Sequence, residues 1–173
     1  MSSQRQKVLA AMVGAGCAIL VVGSILFWSS HQDRLPAFGR ETYDQAWELW
    51  KSRSPANYNI SIEVSGRQPA VYEAEVRNGV TTSARRNGHP LTQLRTLGTW
   101  SVPGMFNTIG YDVGAIETNA PETPTDLTIR GIFDEQWGYP SRYQRIQWGS
   151  DTEVHWCVLS FEVFESTAPA AVE

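Results

Sequence analysis

Residues 58–65, Tyr58-Asn59-Ile60-Ser61-Ile62-Glu63-Val64-Ser65, set an apolar side chain at every second position with a polar one between, and this stretch decides the fold. A period of two places the two sets on opposite faces of a strand, so it belongs to a sheet with one packed and one wet face. Tyr72, Ala74 and Val76 carry the inward set into a second strand that runs to Asn78-Gly79. That dipeptide favours a two-residue hairpin turn, because both central positions take positive φ. Val80–Arg86 returns as a third strand, and its Thr, Ser and Arg content suits an edge.

Upstream, Tyr43, Ala46, Trp47 and Trp50 fall at i, i+3, i+4 and i+7, one stripe of a helix, with Leu49 beside it. Thr42-x-x-Gln45 fits a capping box, Lys51 and Arg53 suit the negative end, and Pro55 stops the helix. Downstream, Val102, Met105, Phe106, Ile109, Val113 and Ile116 form a second stripe, with Ser101 or Val102 at the cap and Pro103 in the first turn. Residues 117–126 read as a loop; Leu127–Phe133, Tyr143–Trp148 and Val154–Phe164 read as three more strands, the last with Cys157, Leu159, Phe161 and Val163 on its packed face. The order is helix and three strands, twice. This predicts an α+β domain whose mainly antiparallel sheet is covered by two helices.

The chain ahead of this domain has a different character. Val8–Trp28 is uncharged for 21 residues, enough at 1.5 Å per residue to span a bilayer's hydrocarbon core of about 30 Å. Arg5 and Lys7 precede it, so the positive-inside rule leaves residues 1–7 as a cytoplasmic tail and the rest of the chain outside. A cleaved signal peptide competes, but the run exceeds a usual apolar core and no small-x-small site follows Phe27 and Trp28. Gly14-Ala15-Gly16-Cys17 has the outline of a lipoprotein cleavage site, yet Gly14 stands where a large aliphatic residue is wanted, and the uncharged run continues past Cys17. A retained single-pass signal anchor is expected. Residues 29–40 read as a polar tether, 41–165 as the domain and 166–173 as a disordered tail.

Asn57-Tyr58 after a Trp-bearing helix, Val76-x-Asn78-Gly79-Val80, Met105-Phe106-x-x-Ile109 and Gly138-Tyr139-Pro140 together resemble the bacterial family catalogued as domain of unknown function 6174. The resemblance covers about residues 41–165. It implies a small extracytoplasmic domain held at a membrane by an anchor or a lipid, and it brings no activity and no catalytic residue with it.

The residues themselves offer only incomplete chemistry. With 14 Lys and Arg against 18 Asp and Glu, the balance is wrong for nucleic acid. His155 and Cys157 share a strand face, but two ligands are too few for zinc, and Cys157 reads as a buried free thiol. Glu73 and Glu75 share a face as a glycosidase pair would, yet their alternation with Tyr72, Ala74 and Val76 makes them a solvated face. Ser101 reads as a helix cap, for it lacks the Gly-x-Ser-x-Gly elbow of a nucleophile. What remains is two aromatic, Gly- and Pro-bearing stretches, 99–104 and 136–143, whose Trp100, Trp137, Tyr139 and Arg142 are the expected binding residues.

The expected function is therefore a membrane-anchored, extracytoplasmic, non-enzymatic module that binds a protein or small ligand. A small envelope hydrolase, or an inhibitor or assembly factor docking on a larger envelope protein, is the alternative. The expected partners are the membrane, through residues 8–28, and an envelope protein or small ligand, with no nucleic acid, cofactor or metal. A pocket uniting Glu73, Glu75, Ser101 and His155 would mark the hydrolase.

Overall fold

A computed structural model describes residues 35–118, 127–149 and 153–164. The expected span over residues 8–28 and the expected tail over 166–173 lie outside the described residues; among the described residues no helix is long and apolar enough to cross a membrane. The elements, in order, are α1 (Arg40–Arg53), β1 (Tyr58–Gly66), β2 (Ala70–Arg77), β3 (Val80–Arg86), β4 (His89–Pro90), α2 (Leu94–Leu97), α3 (Val102–Thr118), β5 (Leu127–Phe133), β6 (Pro140–Gln147) and β7 (Val154–Val163). The strands form one sheet in the order β4-β3-β2-β1-β7-β6-β5, antiparallel at each pairing. The domain is α+β, as the change of period from 3.6 to two predicts.

The β1–β7 pair joins the halves. It sets the second three-strand meander beside the first, so β1, read as a half-wet strand, lies at the centre of the sheet. Its inward residues Tyr58, Ile60, Ile62 and Val64 are all buried. Both long helices lie on that same face. Trp50 of α1 meets Tyr58 edge-on at 5.6 Å, and Phe106 of α3 lies 4.7 Å from Trp47 and 6.0 Å from Phe133 of β5. The backbone N–H of Val102 donates to the Tyr58 hydroxyl at 3.2 Å, and burial pushes that hydroxyl's pKa up to about 12. At Gly110 a side chain of α1 lies against α3: a Cβ there would stand 2.8 Å from the Tyr43 hydroxyl, which donates to the Phe106 carbonyl.

Several local readings need correction. The capping box does not form. α1 begins at Arg40 with Gly39 before it, and Gln45 Nε2 donates to Glu41 Oε1 instead of reaching back to the cap. Arg40, the first residue of α1, makes a bidentate pair with Glu117 at the far end of α3. The tether is also shorter than residues 29–40. Leu35 is buried, Ala37 bridges Arg130 at the free edge of β5, and Phe38 packs edge-on to Phe133, so residues 35–39 belong to the domain. β3 is the edge for most of its length, and β4 covers only Arg85 and Arg86. Ile116, read into the core stripe, is exposed.

The largest correction is at β7. Ser61 pairs with Ser160 but Ile62 pairs with Val158, so Leu159 is an extra residue, a β-bulge. A bulge reverses which residues face inward: Trp156 and Val158 pack inside before it, and Phe161 packs inside after it. Cys157 therefore lies opposite Glu63 and Arg142 on the wet face, half-buried, and Leu159 is exposed. The expectation of a core thiol fails because strict alternation does not survive an inserted residue.

Candidate functional site

The four residues singled out as a binding patch are not brought together. Trp137 and Tyr139 lie 6.2 and 4.6 Å from the ring of Phe161, and Gly138 between them sits directly against the backbone of α1 at Ala46 and Trp50. They close one end of the core. Arg142 is exposed on the opposite, wet face of the sheet, opposite Cys157 and Ile132. Trp100 stands elsewhere on the helix-covered side, edge-on to Trp156 at 5.8 Å.

The acid, base and nucleophile candidates do not converge either. Ser101 is buried at the start of α3, where its hydroxyl donates to the Gly98 carbonyl at 2.7 Å and accepts from the Gly104 N–H. That is a helix cap. Glu73 and Glu75 lie across the sheet from it, in a shallow polar depression of about 220 Å³ with Glu162 and Arg85. His155 is on that wet face too, but it pairs with Ser65 of β1 whereas Glu73 pairs with Ser61, roughly 13 Å along the strand at 3.3 Å per residue. Its Nε2 lies 2.9 Å from Glu153, whose carboxyl is held below its usual range mainly by a hydrogen bond from Gln144, with His155 adding to it. Among the described residues no group of three His, Cys, Asp or Glu side chains is placed to hold a metal ion.

A second, open groove of about 390 Å³ lies on the helix-covered side, between the ends of β2 and β3, β4 and the turn of α2. Its wall is a stacked pair: the rings of Tyr72 and Trp100 lie 4.0 Å apart and 19° from parallel. The Arg86 guanidinium carbon lies 5.9 Å over the Tyr72 ring, within cation–π range. Pro90 and Leu91 add apolar surface, and Gln68, Thr92, Thr96 and Thr99 add neutral hydrogen-bonding groups. No carboxylate, histidine or cysteine is among its described lining residues. Such a lining can hold a ligand; it offers no acid, base or activated nucleophile for chemistry on one.

Each part of the groove is positioned by a local cause. Tyr72 follows the inward alternation of β2. Arg86 faces inward because of a second bulge: Glu75 pairs with Ser83 but Val76 pairs with Thr81, leaving Thr82 extra. In an unbroken hairpin from Asn78-Gly79, Arg85 would face Tyr72 and Arg86 would point to the wet side. The Arg86 Nε is buried and has no hydrogen-bond partner among the described residues, a state it shares with the Arg130 Nε. Sequence reading found Trp100 but missed Tyr72 and Arg86 as its neighbours; only the Tyr-bearing strand and the paired arginines at its hairpin partner's end were visible.

The chain matches no protein-family model, no curated protein and no solved structure.

Proposed function

We propose that the chain is a membrane-anchored module that presents a non-enzymatic binding domain outside the cytoplasm, with the Tyr72–Trp100–Arg86 groove as its ligand site. The observation that carries the reading is the groove itself, where the Tyr72–Trp100 stack stands beside Arg86 and the other described lining residues are apolar or neutral polar groups. The anchor rests on the uncharged run 8–28 behind Arg5 and Lys7. The short-motif resemblance to domain of unknown function 6174 points to the same placement. The hydrolase alternative loses its support, because Ser101 is used as a cap on one side of the sheet while Glu73, Glu75 and His155 stand on the other.

Two measurements test this. A reporter active only outside the cytoplasm, fused after Glu173, is expected to work; a silent reporter would reverse the topology. In the full chain, the indole N–H resonance of Trp100, assigned by its loss in Trp100→Phe, is expected to shift on titration with some member of a panel of sugars, amino acids and short peptides. A panel that leaves it unmoved would remove the groove as the site.

A further inference from the structure

We infer that the domain rests on the lipid bilayer through the end of the sheet at which the chain enters it. The inference rests on the anchor reading of residues 8–28, and three observations carry it. The first is the point of entry. Ala37 pairs antiparallel with Arg130, and the Gly131 N–H donates to the Pro36 carbonyl. Leu35 therefore lies beside Ile132, and the chain before it leads off past Phe133, the last residue of β5. Leu35 is buried in the domain, which leaves only residues 29–34 between it and the expected span. That length reaches at most about 20 Å, less than the roughly 30 Å breadth of a sheet with this number of strands. The entry end is held close to lipid.

The second observation is what that end exposes. Because neighbouring strands are antiparallel throughout, the end of β5 lies with the starts of β1, β3 and β6 and the ends of β2 and β7. Val80 begins β3, Val163 ends β7 and Phe164 follows it, Ile132 is the last but one residue of β5, and Leu159 bulges from the half of β7 toward this end. All five are large apolar side chains left exposed. Arg77 lies over the Phe164 ring at 5.1 Å. Apolar side chains beside an arginine suit the headgroup boundary of a bilayer, where the former enter the acyl layer and the guanidinium stays at its surface. The charges at this end are mixed, with Arg53, Arg77 and Arg142 near Asp134, Glu135 and Glu162, so apolar burial and not lipid charge drives the contact. The third observation is the position of the groove. Arg86 ends β3 and Pro90 lies in β4, so the groove stands at the opposite end of the β2–β3 hairpin from Val80. A domain resting on Val80 and Phe164 presents the groove away from the membrane.

The test places the full chain, carrying Cys17→Ala and Cys157→Ser, in phosphatidylcholine vesicles that contain a lipid spin-labelled near the headgroup end of its acyl chain. A fluorophore is attached in turn at Val80→Cys, Leu159→Cys, Trp148→Cys and Tyr111→Cys. The last two are exposed apolar positions elsewhere, at the other end of β6 and on α3. Strong quenching is expected at Val80 and Leu159 and none at Trp148 and Tyr111. Val80→Asp with Phe164→Ser is expected to abolish the quenching at Leu159, and circular dichroism unchanged from the parent shows that each variant folds. An alkaline wash of the vesicles reads the anchor separately. If the washed vesicles keep the chain but Trp148 or Tyr111 is quenched as strongly as Leu159, or either Val80 or Leu159 escapes quenching, or the double change leaves Leu159 quenched, the docking inference falls and the anchor stands. If the chain washes off, the anchor reading and the inference fall together.

Discussion

Tyr143 of β6 donates its hydroxyl hydrogen to Asp112 Oδ2 of α3 at 2.6 Å, and Arg145, on the same strand face, donates Nε to the other carboxylate oxygen at 3.0 Å. One carboxylate thus fastens the second helix to the sheet. The Asp112 side chain is only 14% exposed, and Arg145 and Tyr143 together supply its charged and neutral hydrogen-bond partners. Asp112→Ala leaves a buried hydroxyl and a largely buried guanidinium without their acceptor, and is expected to cost about 3–5 kcal/mol in denaturant melts. Tyr143→Phe keeps the ion pair and is expected to cost about 1–2 kcal/mol. A larger loss for Tyr143→Phe than for Asp112→Ala would show that the ring packing, and not the carboxylate, makes the joint.

Gly138 and Gly149 both have positive φ, +83° and +78°, but only one is crowded. A Cβ at Gly138 would stand 2.5 Å from the Ala46 carbonyl and 2.9 Å from the Trp50 nitrogen, whereas at Gly149 it would meet nothing within 4 Å among the described residues. Gly149→Ala is expected to cost about 1 kcal/mol, the strain of a left-handed residue alone. Gly138→Ala must also displace the loop from α1 and is expected to cost at least about 2–3 kcal/mol. Equal melting shifts for the two would mean that Trp137 and Tyr139 are not docked on α1.

The bulge at Leu159 predicts a contrast between residues two apart. Leu159 is 54% exposed, so Leu159→Glu is expected to stay within about 0.5 kcal/mol of the parent. Phe161 packs against Trp50, Tyr58 and Tyr139, and Phe161→Ala is expected to cost about 3 kcal/mol. Strict alternation puts both on one face and predicts two large losses, which chemical denaturation distinguishes.

Cys157, on the wet face and half-buried, is expected to react with a thiol reagent in the native chain once Cys17 is replaced by Ala. Cys157→Ser is expected to lie within about 1 kcal/mol of the parent. A thiol silent until denaturant is added would return Cys157 to the core.

Stability should fall at alkaline pH through the buried tyrosines, Tyr58 and Tyr143 above all. Burial raises Tyr58 to about 12, and burial with the Asp112 charge raises Tyr143 as well. Unfolded tyrosine ionises near pH 10, so below that pH both states keep the proton and neither residue contributes a slope. Above it the unfolded chain loses protons that the folded one retains, and each tyrosine is expected to lower stability by about 1.4 kcal/mol per pH unit, for Tyr58 up to its folded value. Tyr143→Phe is expected to reduce the slope by about 1.4 kcal/mol per pH unit between roughly pH 10 and 12; an unchanged slope would place the effect elsewhere.

What the sequence by itself determined is what short-range periodicity can carry. The Asn78-Gly79 turn, the bounds of β3 at Val80–Arg86 and of β5 at Leu127–Phe133, the Trp50 and Phe106 stripes and the Ser101 cap each depend on residues within one turn or one strand of one another. What only the tertiary structure decided turns on single inserted residues and distant partners. Leu159 and Thr82 leave no local mark, yet each bulge reverses a face, moving Cys157 out of the core and Arg86 into the groove beside Tyr72 and Trp100. The start of α1 at Arg40 was likewise not legible, for the Thr42-x-x-Gln45 motif lies inside the helix and Arg40 pairs with Glu117, 77 residues away. A strand's register is chosen by the energy of the whole packed face, and one extra residue costs little locally while deciding every side chain beyond it.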